Sequence, residues 1–290
     1  MIQPAKARFI FTCLSLWGCS NADTRDAGPP DAGADASAEV RVTCDQMDVL
    51  FVIDNSASMQ QEQANLSDNF DRFVESLRKF QDGRVDFRIG VTTTSFPTAL
   101  SEIGLVPPAA AGALLRTADM TDPWLSSSDP DLTAKFRALA TVGTDGASWD
   151  EQPLKALRSA LIDRVADGQN AGFLRPSALL AMVVLTDEDD TSSQEIDDLN
   201  SRPIPVGDFI NSFDMLKGQR EYWSAAVFAG GTAPTCSSRF GSALFAARLQ
   251  AFVDQAGSNA VFSSICDGDL SLGLDSALGT FSNACEYLLF

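Results

Sequence analysis

From Met47 onward, apolar residues follow two patterns that alternate along the chain. Nearly continuous apolar runs predict strands covered on both faces, and they read MDVLFVID, ALLAMVVLTD and YWSAAVFAG. Apolar residues three and four positions apart predict helices, and the first of these helices ends at Gly83. Its apolar positions are Leu66, Phe70, Phe73, Leu77 and Phe80. Strands that alternate with helices predict a single α/β domain, doubly wound around a mostly parallel sheet with helices on both faces.

The remaining segments fit this architecture, with one irregular stretch. VDFRIGVTTTS alternates apolar and polar residues as a strand does, and AVFSSIC predicts a short strand. Helical spacing predicts helices in DEQPLKALRSALIDRV, in DFINSFDML, in RFGSALFAARLQAFVDQAG up to Gly257, and after Leu270. Residues Phe96 to Thr144 contain five prolines. We therefore predict a long excursion there, with one or two short helices and an edge strand.

The first nineteen residues predict a signal peptide rather than a part of the fold. Lys6 and Arg8 precede an apolar run, Phe9 to Trp17, that is too short to span a bilayer. The run ends in LWGC, which resembles a bacterial lipoprotein signal, in which Cys19 would carry the lipid. The tryptophan of this motif departs from that pattern, and an ordinary secreted protein is the alternative.

A tether separates this signal from the globular domain. Residues 20–43 include DAGPPDAGADASA, a low-complexity run with nothing to bury, which predicts an extended segment. Ser20, and not an acidic residue, follows Cys19, which by resemblance to the sorting rules of enteric bacteria favours the outer membrane. We therefore predict a membrane-anchored protein of the bacterial cell envelope, with one domain over residues 44–290.

Four cysteines remain after the signal. An even number in an exported domain predicts two disulfides, for which three pairings are possible. We favour Cys236 with Cys266, and Cys44 with Cys285, because the second pair would join the two ends of the domain. Cys285 also shares its helix face with Leu270, Leu274, Leu278 and Phe281, which turns it toward the core.

Composition excludes several classes of function. The chain contains no histidine, which removes Ser-His-Asp and Cys-His catalysis together with His-ligated zinc or iron sites. Its 21 basic and 39 acidic residues give a formal charge of -18. A chain this acidic repels phosphate backbones, so we expect no nucleic-acid partner.

Carboxylate and hydroxyl side chains follow two of the predicted buried strands. Asp54, Ser56 and Ser58 come directly after the first strand, and Asp187 comes directly after VVLT. The carboxyl ends of parallel strands meet at one edge of the sheet, so these side chains should converge. Such oxygens are ligands for Mg²⁺, Mn²⁺ or Ca²⁺. The alternative is that the serines cap the following helix.

The motif DVLFVIDNSASM resembles the first strand and DxSxS motif of von Willebrand factor A domains, which build a metal ion-dependent adhesion site. VVLTD is similar to the family's later strand, and the resemblance covers about Cys44 to Cys285. It implies that Asp54, Ser56 and Ser58 contact a metal, Mg²⁺ by preference, and that Asp187 holds it directly or through water.

The family's remaining ligand, a threonine before the next helix, has no clear counterpart in TVGTDGASWDEQPLKAL. Counting back from the alanine and leucine of that helix puts Glu151 in its place, whereas keeping the glycine turn favours Thr144. Ser148 ranks below both. A glutamate would make the site more acidic than the family norm and weaken the pull of the metal on a ligand carboxylate.

The resemblance implies adhesion or another protein interaction, in which the metal binds a carboxylate presented by a partner protein. We predict a binding protein and no enzyme, since the DNSAS loop lacks the second aspartate of haloacid-dehalogenase-like enzymes and LTDEDD brings no basic residue. A structural envelope protein with a stabilising metal is the other alternative.

Overall fold

Six strands form the central sheet of the protein, which we describe from a computed structural model over residues 43–97, 110–144, 150–197, 200–231, 233–239, 241–268 and 270–288. The sheet strands are β1 (Thr43–Ile53), β2 (Asp86–Thr93), β3 (Leu125–Ser126), β4 (Ala178–Leu185), β7 (Trp223–Ala229) and β10 (Ala260–Ser264). Their spatial order is β10-β7-β4-β1-β2-β3. All neighbours run parallel except β3, which is an antiparallel edge strand beside β2.

Helices cover both faces of this sheet. They are α1 (Gln60–Lys79), α2 (Leu132–Ala140), α3 (Pro153–Arg158), α4 (Val206–Lys217), α5 (Ala247–Ala256) and α6 (Leu270–Leu288). Helix α3 continues through a π-helical turn, Ser159–Asp163, into a short α-helical segment, Arg164–Ala166. Two hairpins lie outside the sheet, namely β5 (Ser193–Asp197) with β6 (Asn200–Pro203), and β8 (Thr235–Ser238) with β9 (Gly241–Leu244).

The central strand β1 explains why the sheet needs helices on both sides. Val49, Phe51 and Ile53 pack into the core formed with α1, α2 and α6. Leu50 and Val52 point the other way, into the core formed with α3, α4 and α5. Because both faces are apolar, the strand is stable only in the middle of a three-layer structure. The predicted doubly wound α/β fold is confirmed.

The structure corrects one predicted helix. The segment before Ala247 was predicted to be helical, yet Gly241–Leu244 is the strand β9 of a hairpin. Gly241 and Ala243 are buried while Ser242 and Leu244 are exposed, which is the alternation of a strand. The apolar residues of this short segment fit either spacing, and contacts with the rest of the domain decide between them.

The long excursion agrees with its prediction where the structure describes it. Its edge strand is β3, which pairs with Ile89 and Arg88 of β2, and its helix is α2. Residues 98–109 lie outside the described part of the chain.

Two disulfides join the cysteines in the favoured pairing. Cys44 is bonded to Cys285, with Cα atoms 5.4 Å apart, and Cys236 is bonded to Cys266, with Cα atoms 6.0 Å apart. The first joins the start of β1 to the last turns of α6, and the second joins the β8–β9 hairpin to the segment after β10. The predicted signal peptide, Cys19 and most of the tether lie outside the described residues. Among the helices that the structure describes, none combines the length and the apolarity needed to span a bilayer.

Removing the second disulfide tests what holds the hairpin in place. The double variant Cys236→Ser, Cys266→Ser should lose about 3 kcal/mol of unfolding free energy, since the bond closes a loop of 30 residues in the unfolded chain. Urea denaturation measures this change. A loss below about 0.5 kcal/mol would show that the cross-link does not constrain the chain.

Candidate metal centre

Asp54 is the first residue after β1, and its carboxylate is held in one orientation. Its backbone N–H donates to Leu185 O at the end of β4, at 2.9 Å. The side chain is fully buried, with Oδ1 accepting from the Ser56 N–H and Oδ2 accepting from the Thr186 hydroxyl, each at 2.7 Å. The strand order reverses between β1 and β4, so Asp54 lies at the switch point where α/β sheets bind ligands.

Ser56 and Ser58 bring two hydroxyls to the same loop. Their Oγ atoms are 3.0 Å apart, with Ser56 half-buried and Ser58 exposed. Ser56 occupies the N-cap position of a short 3-10 helix, Ala57–Met59, but its side chain makes no capping hydrogen bond. The helix-capping alternative is therefore wrong for Ser56. One carboxylate and two hydroxyls therefore share this loop.

Asp187 stands across the switch point from Asp54, just past the end of β4. Its backbone carbonyl accepts from the Leu244 N–H at 2.8 Å, and its side chain is only 3% exposed. Oδ1 of this carboxylate is buried and has no hydrogen-bond partner among the described residues. Burial and the charge of Asp54 raise the pKa of Asp187 to about 7, although the Ser58 hydroxyl beside it acts in the opposite direction.

Of the two candidates for the remaining ligand, Glu151 is the one that belongs to this acidic group. It is 1% exposed and accepts a hydrogen bond from the Thr94 hydroxyl at the end of β2. Burial and the charge of Asp54 raise its pKa to about 8. Thr144 is half-buried, one residue beyond Gly143, whose carbonyl accepts from the side chain of Gln63 at 2.7 Å.

Two acidic residues beyond Asp187 have structural roles instead of being solvated loop charges. Asp190 is buried, accepts from the Leu154 N–H at 3.0 Å, and pairs with Arg248 at 3.0 Å. Asp189 accepts from the backbone N–H groups of Arg248 and Leu249 in the first turn of α5. These contacts fix the loop that carries Asp187.

Three residues that support the site were not among the predicted site residues. Gln63 is buried on α1 and donates from Nε2 to Asp54 O at 2.9 Å as well as to Gly143 O, so it joins the metal loop to the loop of Thr144. Thr94 holds Glu151, and Thr186 orients Asp54. Thr94 and Thr186 follow strand ends and Gln63 lies on α1, positions that many purely structural residues share.

The donor set suits a hard divalent cation. In the described part of the chain, no three His, Cys, Asp or Glu side chains lie close enough together to hold a metal on their own. A site built from Asp54, two serine hydroxyls and Asp187 does not need such a group, because hydroxyl and water oxygens complete it. The unpartnered Oδ1 of Asp187 is the atom that a cation would satisfy.

Comparisons with known proteins find solved structures with a similar fold at low sequence identity. No protein-family model matches the chain, and no curated protein matches it. Among solved structures, proximal thread matrix protein 1 from the mussel byssus, with a zinc-occupied MIDAS motif, aligns at a TM-score of 0.46 and 14% identity, over 85% of this chain and 49% of that one. The pilus adhesin SpaC from Lactobacillus rhamnosus GG, in an open conformation, aligns at 0.45 and 11%, over 84% of this chain and 30% of that one. The chain thus spans half or less of the length of these neighbours.

The choice between Glu151 and Thr144 can be tested by single substitutions. Glu151→Gln should lower Mg²⁺ affinity about tenfold, because Glu151 contributes its charge directly to the acidic group. Thr144→Ala should change the affinity by less than about twofold. Isothermal titration calorimetry measures both constants, and the reverse ranking would assign the ligand to Thr144.

Proposed function

We propose that this chain is a binding protein that holds a divalent cation at Asp54, Ser56, Ser58 and Asp187 and, through it, a carboxylate of a partner protein. The observation that carries this proposal is the buried Oδ1 of Asp187 at the switch point, which has no hydrogen-bond partner in the described part of the chain and lies opposite the oriented carboxylate of Asp54. Mg²⁺ is the proposed ion, with Mn²⁺ and Ca²⁺ accepted by the same oxygens.

The charges of the site support a cation. Asp54, Glu151 and Asp187 each have a raised pKa, for which burial is the first cause. None of them forms an ion pair with lysine or arginine in the described residues. Buried carboxylates without a basic partner are costly, and a divalent cation removes that cost.

The exposed side of the site supports a partner that supplies a ligand. Asp54 and Asp187 are buried beneath the loop, whereas Ser58 is exposed and Ser56 half-buried. When bound, Mg²⁺ supplies open coordination positions on that side, where a carboxylate of a partner can bind. The acidic chain repels acidic partners elsewhere, so the ion provides the local attraction. Glu151 adds negative charge and would weaken that attraction.

A phosphate-transfer enzyme is the competing function. Such an enzyme needs a basic clamp for phosphate near the metal. The nearest acidic loop does bring an arginine close, but Arg248 is paired with Asp190 and bonded to Ile204 O, not directed to Asp54. This favours binding over catalysis.

We also propose a location at the bacterial cell surface. The signal-like residues 1–19, a lipid on Cys19 and the tether over 20–43 would attach the domain to the outer membrane, and secretion without an anchor is the alternative. Mass spectrometry of the mature N-terminus distinguishes the two, because a lipidated Cys19 adds the mass of the acyl chains.

The test of the function is a pull-down of envelope proteins with the purified protein, in Mg²⁺ and in chelator. We expect a partner that is recovered in Mg²⁺ only and is lost with Asp54→Ala. Asp68→Ala, which changes an exposed aspartate of α1, is the matched control and should retain the partner. Phosphoester turnover that Asp54→Ala abolishes would replace this function by catalysis. Loss of thermal stability in chelator, without any Mg²⁺-dependent partner, would leave a structural role.

A further inference from the structure

Two consecutive residues expose large apolar side chains beside the metal centre. Leu244 is 51% exposed and Phe245 is 36% exposed, and we call this pair the apolar rim. In the part of the chain that the structure describes, the other exposed large apolar side chains are Met215 of α4 and Leu272 of α6, each of which stands singly in its helix. Single exposed apolar residues are common in soluble proteins, so the position of the pair decides its meaning.

The β8–β9 hairpin places the apolar rim along one side of the metal loop. The Leu244 N–H donates to Asp187 O at 2.8 Å. Cα atoms of β9 also lie within 8 Å of those of the short helix Ala57–Met59, which contains Ser58. The rim is therefore next to two of the proposed metal ligands, one after β4 and one after β1.

The hairpin is fixed in place, which holds the rim at the surface. At the start of β9, Gly241 packs on Glu62 of α1, so closely that a Cβ atom on Gly241 would be 1.6 Å from Glu62 Oε1. At the other end of β9, a Cβ atom on Gly230 would be 1.8 Å from Leu244 O. The disulfide of Cys236 joins the hairpin to the segment after β10. Turning the Leu244 side chain inward would thus require the whole hairpin to detach.

The charges around the rim indicate what would cover it. The chain has a formal charge of -18, so it repels an acidic segment everywhere except at the bound ion. The rim carries no charge and offers apolar surface directly beside that ion. A segment that places one carboxylate on the ion and a large apolar side chain on the rim complements both. Because every acidic partner has a carboxylate, the apolar contact is what selects among them.

We propose that the apolar rim of Leu244 and Phe245 selects the partner. The partner is an extended segment of another protein, in which leucine, isoleucine, methionine or phenylalanine stands next to the aspartate or glutamate that binds the ion. This proposal rests on the proposed function and names the class of partner for the same site. The contribution of the rim comes from the removal of apolar surface from water, so it does not weaken as salt is added.

Short synthetic peptides, capped at both ends, test this selection in Mg²⁺ with the full chain. Each peptide has a central aspartate in a background of glycine and serine, and both neighbours of the aspartate are phenylalanine, leucine or serine. We expect the phenylalanine and leucine peptides to bind about tenfold more tightly than the serine peptide, as measured by fluorescence polarisation. The phenylalanine peptide with asparagine in place of aspartate should not bind, because it offers no charge to the ion.

Variants of the rim compare the same peptides as a ratio of affinities. In the double variant Leu244→Ser, Phe245→Ser, the preference for the phenylalanine peptide over the serine peptide should fall below about twofold. Met215→Ser, which removes an exposed apolar side chain of α4, is the matched control and should keep the preference. The ratio does not depend on how much ion a variant binds, since both peptides use the same ion.

The outcomes separate this proposal from the proposed function. Equal affinity of the wild-type chain for the phenylalanine and serine peptides, with binding that still requires Mg²⁺ and the aspartate, would overturn selection by the rim and keep the proposed function. A preference that survives in the double variant would do the same. Sedimentation that shows self-association of the wild-type chain, but not of the double variant, would replace the partner by a second copy. A chain that binds Mg²⁺ but no peptide would overturn both proposals.

Discussion

Replacing Asp54 with alanine will lower the affinity of the chain for Mg²⁺ by about 100-fold or more. The carboxylate is fully buried and is fixed by Ser56 and Thr186, so it is already oriented before an ion binds. Ser56 and Ser58 provide only neutral oxygens, and they cannot replace the lost charge. Asp54→Asn should show a similar loss, because it keeps the volume of the side chain and removes only the charge.

Isothermal titration calorimetry of the two variants and the wild type measures this loss. Asp68→Ala is the control for removing an aspartate and should leave the affinity unchanged. In chelator, Asp54→Asn should unfold at a temperature no lower than that of the wild type. The buried Asp54 carboxylate of the wild type is destabilising without a cation, and the variant lacks that charge. A variant that binds Mg²⁺ within about threefold of the wild type would exclude Asp54 as a ligand.

The sequence predicts correctly those parts of the fold in which the apolar pattern of one segment is enough to show how its residues are buried. The run VLFVI is apolar at every position because β1 is covered on both faces, and a fully apolar run by itself predicts such a strand. Asp54 and Asp187 follow such runs, and parallel strands end at the same edge of the sheet. Their meeting at the switch point therefore needed only the strand assignments.

The hairpin over the site was not predicted, for a physical reason. The strand β9 is four residues long, and isolated hairpins of this size are barely stable. This hairpin is held by the disulfide from Cys236 and by the contact of Leu244 with Asp187, both of which come from distant parts of the chain. The spacing of apolar residues within the segment does not depend on such distant contacts. The helix predicted there was therefore wrong.

Glu62, which lies under the hairpin, shows the same limit. A glutamate in the first turn of a helix is ordinarily solvated and favourable to the helix dipole. Here the hairpin buries it, through a glycine almost 180 residues away in the chain. Asp189 and Asp190 show it too, because the groups that bind them, the first turn of α5 and the Arg248 side chain, come from a distant part of the chain.

Replacing Arg175 with methionine will destabilise the folded chain by about 4 kcal/mol at neutral pH. Asp48 is a fully buried charge within the apolar run of β1, and Arg175 donates to it from its backbone N–H at 2.6 Å and from Nε at 2.8 Å. The guanidinium also bonds Met47 O and Asp86. Without it, the buried carboxylate keeps only the backbone N–H of residue 175 and the weaker attraction of Arg88 and Lys217, so the loss exceeds that of an exposed pair.

The pH dependence of this loss follows from the pKa of Asp48. Burial raises that pKa above its usual 3.8 in the folded chain, while the hydrogen bonds and charge of Arg175 lower it, so Arg175→Met will raise it further. Between the unfolded and the folded pKa, the folded state binds the extra proton, and its stability therefore falls as pH rises. The deficit of the variant should be small at about pH 4 and reach its full size once Asp48 ionises.

Urea denaturation at several pH values measures the deficit. Arg72→Met removes an arginine whose pair with Asp275 is exposed, and it should cost less than about 1 kcal/mol. The double variant Asp48→Leu, Arg175→Met removes both charges and should recover much of the loss, because apolar replacements of buried ion pairs are often tolerated. A deficit for Arg175→Met that does not change with pH would instead trace the loss to the contacts of Arg175 with Met47 and Asp86, and not to the buried charge of Asp48.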